Sequence, residues 1–177
     1  ELTDDDPSSK VGQMKIYTQK HGRTHTGLTP VVTSAHTTKN IDLTVDFHRE
    51  ILKSDVLIDE VLSTKEQNEF LQLPNDAKTS VKFMQGNHMF GKIALSQPQN
   101  YKCHDMVPDA IAPNIGYIAQ AFEVPDIEKS EKAINQLGCE VYAHRRLTDF
   151  PKLGYLDFIM VRAPGSGALE LIFQVKN

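Results

Sequence analysis

The second half of this chain repeats the pattern of the first. From residue 30 onward the apolar residues spell strand, helix, strand, strand, strand, and then spell the same order again. In the first pass "VVTSAHT" (31–37) is a strand by its β-branched content, and "NIDLTVDFHREILK" is a helix. Asn40 caps that helix, and Leu43, Phe47 and Ile51 recur every fourth residue on one face. "DVLIDEVLS" (55–63), "TSVKFMQG" (79–86) and "GKIALSQ" (91–97) are strands, with a short helical turn, "KEQNEFLQLPND", between the first two. In the second pass "GYIAQAFEV" (116–124) is a strand. "DIEKSEKAINQLG" is a helix capped by Asp126, with Ile127, Ile134 and Leu137 on its face and Gly138 as its stop. "CEVYAHRRL" (139–147), "YLDFIMVRA" (155–163) and "ALELIFQ" (168–174) complete the order.

The expected fold is therefore α+β, two tandem β-α-β-β-β modules in which curved, barrel-like sheets carry their helices outside. Residues 1–28 are polar and form a mobile N-terminal arm, in which "QMKIYTQ" could pair as an edge strand. Residues 29–97 are the first module, 98–114 a linker and 115–177 the second module. The linker holds three prolines and is longer than a tight turn needs, so the modules can pair within one chain or by exchange in a homodimer. A chain of 177 residues suits two small halves that share one core.

Charge and hydropathy exclude several classes of partner. With 19 basic and 23 acidic residues the net charge is −4, which offers no electrostatic footprint for nucleic acid or an anionic membrane. No apolar run approaches the roughly 20 residues of a membrane span. Cys103 and Cys139 do not make a disulfide framework and neither lies in a CxxC pair; free thiols are the expectation and a single disulfide the alternative. Glu1 in place of Met, followed by acidic "ELTDDDPSSK", fits a mature exported protein after signal-peptide removal. Export to the periplasm is the expectation, and a cytoplasmic protein is the alternative.

The helix entrances "NIDLTVDFH" and "DIEKSEKAI" and the closing segment "RAPGSGALELIFQ", in this order and spacing, resemble the vicinal oxygen chelate (VOC) superfamily, the glyoxalase, bleomycin-resistance and extradiol-dioxygenase group. The resemblance spans about residues 30–175. It implies two half-barrels around a cleft for a small substrate, often with a divalent metal held by one ligand from the first and one from the last strand of each module. Carried over, those four positions are Thr33, Ala94, Ala119 and Glu170, with Ala94 in "GKIALSQ" the counterpart of Glu170 in "GALELIFQ". Alanine cannot bind a metal and threonine is a poor ligand beside imidazole or carboxylate, so the implied site is degenerate. Glu170 is then the candidate metal ligand or catalytic base. Desolvation would raise its pKa, which suits proton abstraction beside a carbonyl.

Other candidates follow from alternation. His36 is three residues from Thr33 and faces the opposite side, so it joins a metal site only if a bulge turns it inward. His48 is expected to pack against the sheet and His88 to be solvated, while His21 and His25 lie in the arm. In "AHRR" (143–146), His144 and Arg146 share one face and Arg145 the other, so either face can present a cation to a carboxylate or phosphate of a substrate. Thr33, His144, Arg145 and Arg146 are thus the substrate-binding candidates. The function implied is a lyase or isomerase acting on a small oxygenated metabolite. A metal-free small-molecule binder of the bleomycin-resistance type, or a non-catalytic interaction scaffold, is the alternative.

Overall fold

Each half of the repeat folds into one four-stranded sheet. The computed structural model describes residues 6–21, 33–88, 91–111, 113–114 and 119–176. After a first helix, α1 (Lys10–His21), come β1 (Thr33–Thr37), α2 (Ile41–Leu52), β2 (Asp55–Leu62), the short α3 (Lys65–Phe70), β3 (Thr79–Gln85) and β4 (Lys92–Pro98). The second half supplies β5 (Ala119–Glu123), α4 (Ile127–Gln136), β6 (Glu140–Phe150), β7 (Gly154–Arg162) and β8 (Leu169–Lys176). The strand orders are β1-β4-β3-β2 and β5-β8-β7-β6, the same topology twice. In each sheet the first strand runs parallel to the last and the other pairs are antiparallel.

The helices start where their caps predict. The Asn40 side chain accepts from the Leu43 amide and the Asp126 side chain from the Lys129 amide. Gly138 follows α4 with φ +64°, the left-handed geometry that glycine adopts at helix ends. The buried stripe of α2 differs from the expected one. Ile41, Thr44, Val45, Phe47, His48 and Ile51 are buried, whereas Leu43 is 48% exposed. The stripe is displaced because α2 must cover parts of both modules.

Two apolar clusters show this double duty. Ile41 and Val45 pack with Met84, Ile93 and Leu95 of the first sheet. Phe47 and Ile51 pack with Val124, Ile127, Ile134, Ile159, Val161 and Ile172 of the second module. Phe122 of β5 lies against both clusters. The modules therefore pair within this chain, and each sheet has a face covered by helices and an opposite face.

Two departures from the sequence reading concern the N-terminal segment and one strand. Lys10–His21 is helical where the sequence suggested an arm with an edge strand at "QMKIYTQ". Met14 of this helix is 1% exposed, and the Lys92 ammonium lies 2.9 Å from its sulfur. Lys92 alternates with Ile93, which packs under α2, so α1 covers the opposite face of the first sheet. β6 runs to Phe150, three residues past the expected end at 147. Residues 31–32, 25 and 115–118 lie outside the described residues, so the ends of the expected first strands and His25 are not placed.

A turn from the second module completes the first module's helix. The Gly165 carbonyl accepts from the amides of Lys39 (2.8 Å) and Asn40 (3.2 Å). The Thr44 hydroxyl lies 3.0 Å from the Pro164 carbonyl. Gly165 has φ +81°, and a Cβ there would collide with the Asn40 carbonyl oxygen. Gly165→Ala is expected to cost about 2 kcal/mol and lower Tm by roughly 4–8 °C, measured by thermal unfolding.

Candidate functional site

The register of the strands decides where each candidate side chain points. Ser34, six residues before the Asn40 cap, pairs with Ile93; Gln120, six before the Asp126 cap, pairs with Glu170. The counterpart of Glu170 in the first module is thus Ile93 rather than Ala94. Aligning Gly91 with Gly167 shifts the match by one residue, and a one-residue shift in a strand exchanges the faces.

Glu170 alternates with Leu169 and Leu171 and shares its face with Ile172, which packs on Ile127 and Ile134 of α4. It therefore points under the helices. Thr33 pairs with Lys92 and Ala119 with Leu169, so both lie on the opposite face, as does Ala94. The sheets separate Glu170 from the other three positions, and the expected four-residue constellation does not assemble. His36 stays on the helix face with Ser34, since β1 pairs with β4 in unbroken register and no bulge turns it. Among the described residues no three His, Cys, Asp or Glu side chains converge as a metal site. Threonine, alanine and a lysine neighbour do not fit a divalent cation.

Glu170 is completely buried, and burial alone pushes its pKa up to about 8, as the sequence reading anticipated for a desolvated carboxyl. His48 is also 0% exposed, packed on the sheet as expected. Burial, together with His36, pushes its pKa down to about 3. Burial lowers the pKa of His36 in the same way.

Arg145 and Arg146 face apart, as strand alternation expects, beside a register shift between Ala143 and Arg146. Arg145 turns to the helix face, where it donates to Asp157 at 2.9 and 2.8 Å and to Glu131 of α4 at 3.0 Å. These hydrogen bonds raise the guanidinium pKa, and the Arg145 bonds hold Asp157 below its ordinary value. Arg145 is thus committed to internal ion pairs. Arg146 lies on the other face, its guanidinium 5.1 Å from the Phe158 ring centre, and His144 is exposed.

The main cavity, of about 580 Å³, opens where the two modules and the linker meet. Its walls are His36, Thr37 and Lys39 after β1, Gln97 of β4, Cys103 to Val107 of the linker, and Ser166 to Leu169 of the closing turn. The Lys39 ammonium binds the Asp105 carboxylate at 2.6 Å and ties the linker to the first module. Thr37 and Ser96 share a 3.1 Å hydroxyl contact beside it. Both cysteines carry free thiols, and Cys103 is on the cavity wall. Of the metal, catalytic and substrate-binding candidates singled out in the sequence, His36 alone lines this cavity. The linker residues were missed, although an unusually long connection is itself a signal of function.

Comparison with known structures identifies the architecture. A glyoxalase family protein from Bacillus cereus superposes with a TM-score of 0.73 at 14% identity, over 88% of this chain and 100% of that one. A glyoxalase family protein from Enterococcus faecalis gives a TM-score of 0.51 at 16% identity, over 81% and 95%. Glyoxalase I from Zea mays gives a TM-score of 0.56 at 14% identity, over 83% of this chain and 45% of that one. The chain therefore has the glyoxalase-type VOC fold, with two tandem βαβββ modules and two mixed four-stranded sheets. Identities this low establish the fold and not the activity. No protein-family model matches the sequence, and no curated protein matches it significantly. Among the described residues no helix is long and apolar enough to cross a membrane.

Two predictions follow from these placements. Arg145→Ala is expected to cost about 2 kcal/mol in a denaturation experiment at pH 7, because it removes the hydrogen bonds to the buried carboxylate of Asp157 and leaves it only the longer contact with Lys176 at 3.8 Å. The second concerns pH. Glu170, raised from 4.5 to about 8, contributes stability that is full below 4.5 and lost as pH rises towards 8. His48, lowered from 6.5 to about 3, contributes stability that is full above 6.5 and lost as pH falls towards 3. Between 4.5 and 6.5 the two slopes oppose, so stability should peak there and fall on both sides. His36 and Asp157, both lowered, steepen the acid side. Chemical denaturation from pH 3 to 9 should show the alkaline fall, of order 2 kcal/mol between 6.5 and 8.

Proposed function

We propose that the protein is a metal-independent binder of a small oxygenated metabolite, held in the cavity between the modules. The observation that carries this reading is the cavity itself. A volume of about 580 Å³ is in the range of small-molecule sites, and its walls come from both modules and the linker. Apolar surface from Met106, Val107 and Leu169 is combined there with the hydroxyl of Thr37 and the Lys39–Asp105 pair. Such a mixture orients a ligand that carries both hydrocarbon and oxygen.

The four positions carried over from the VOC resemblance supply no convergent ligands, which supports binding without a metal. A lyase or isomerase reading draws less support, because the candidate base Glu170 is turned to the helix face, away from Leu169 on the cavity wall.

A thermal-shift screen of small carbonyl and hydroxy acids, run with a chelator present, tests this function. At least one compound should raise Tm, and Ala110→Trp, which fills the cavity, should abolish that shift while leaving the unliganded Tm within a few degrees. Stabilisation that appears only with an added divalent metal, and disappears with the chelator, would show the reading to be wrong.

A further inference from the structure

The seam between the modules contains a ring of polar side chains, seven of whose hydrogen-bonding atoms have no protein partner among the described residues. Glu170 sits beside Gln120 on the paired strands β8 and β5. The Gln120 amide nitrogen donates to the Ser34 hydroxyl of β1 at 2.6 Å. Ser34 shares its face with His36, whose ring centre is 6.5 Å from that of His48 on α2. His48 lies 6.0 Å from Phe122, and Phe122 pairs with Ile172, two residues along β8 from Glu170. The circuit closes on itself and draws on both modules.

Within it both Glu170 oxygens, the Gln120 carbonyl oxygen and both nitrogens of His36 and of His48 are buried without a hydrogen-bond partner among the described residues. These seven atoms are a balanced set. A neutral carboxyl and two neutral imidazoles offer three donors, and the same groups with the amide oxygen offer four acceptors. Leaving such buried atoms unpaired is costly, because each has given up its bonds to water. Convergence on a metal is not the geometry, since no three of the ligating side chains meet at one point. The species that both donates and accepts, and that a buried polar cluster takes up, is water, and one molecule makes at most about four such bonds.

We propose that the seam is an internal water site, in which at least two ordered waters bridge Glu170, Gln120, His36 and His48 and so join the two modules. The remaining groups that face it are uncharged: Ser34 and Phe122, Val161 beside Glu170, and Ile93 and Leu95 beside β1. Asp157 and Arg145, further along the same face, are already paired with each other. The site is neutral at its resting state and holds the modules by shared hydrogen bonds rather than by charge.

Water relaxation dispersion on the whole protein, with Glu170→Gln and Glu170→Ile beside it, tests this. The wild type should show at least two long-lived waters. Glu170→Gln keeps a donor and an acceptor and should retain them, whereas Glu170→Ile should lose at least one. The Tm of the wild type should fall between pH 6 and 9, and that of Glu170→Gln should stay level over the same span. Absence of long-lived waters in the wild type, an unchanged count in Glu170→Ile, or an equal alkaline fall in Glu170→Gln would each overturn the assignment. The result stands apart from the ligand screen, since both readouts are taken without ligand and the variants change Glu170, which is not on the cavity wall.

Discussion

The fold depends on an apolar core that belongs to neither module alone. Phe47 and Ile51 leave the first module's own sheet and bury themselves among Ile127, Ile134, Ile159 and Ile172 of the second. Each such side chain contributes about 1.5–3 kcal/mol when withdrawn from water, so this contact is a large share of a stability that for domains is typically only about 5–15 kcal/mol. It also fixes the sheets' roles. Once α2 and α4 cover one face, the other is left to form surface, to receive α1 and to line the cavity.

That division explains what could and could not be inferred from the letters. The repeat, both helix caps and the strand order are local patterns, carried by Asn40, Asp126, Gly138 and period-two alternation, and they were legible. The direction of Glu170 was not. In "ALELIFQ" apolar residues occupy both parities, with Leu169, Leu171 and Phe173 on one side and Ile172 on the other. Alternation therefore shows that neighbouring residues face apart but not which face the helices cover. Alternation did separate Arg145 from Arg146, but the ion pairs that occupy Arg145 depend on Glu131 and Asp157, which only the folded chain brings beside it. The helix at Lys10–His21 lacks a marked apolar stripe, and Met14 is the one deeply buried side chain among its described residues, so periodicity gave no sign of it.

Two carboxyls on the helix face of the second sheet show how position sets acidity. Asp157 meets Arg145 and is held ionised below its ordinary range. Glu170, completely buried and with no cation beside it, is held as the acid. Sequence chemistry alone treats them as equivalent anions. The second sheet therefore stabilises one of them through charge and the other through the suppression of charge, and its response to pH comes mainly from the second.

The Gly165 turn has a consequence for how the molecule is made. The amides that open α2 at Lys39 and Asn40 find their acceptor 125 residues later, on a carbonyl close to the end of the last hairpin. During synthesis on the ribosome the whole first sheet is therefore made before that acceptor exists. The first module must wait, with its helix incompletely started and Phe47 uncovered, until the closing turn of the second module is available. Folding of this protein is thus a closing event, in which a late turn locks a helix laid down much earlier.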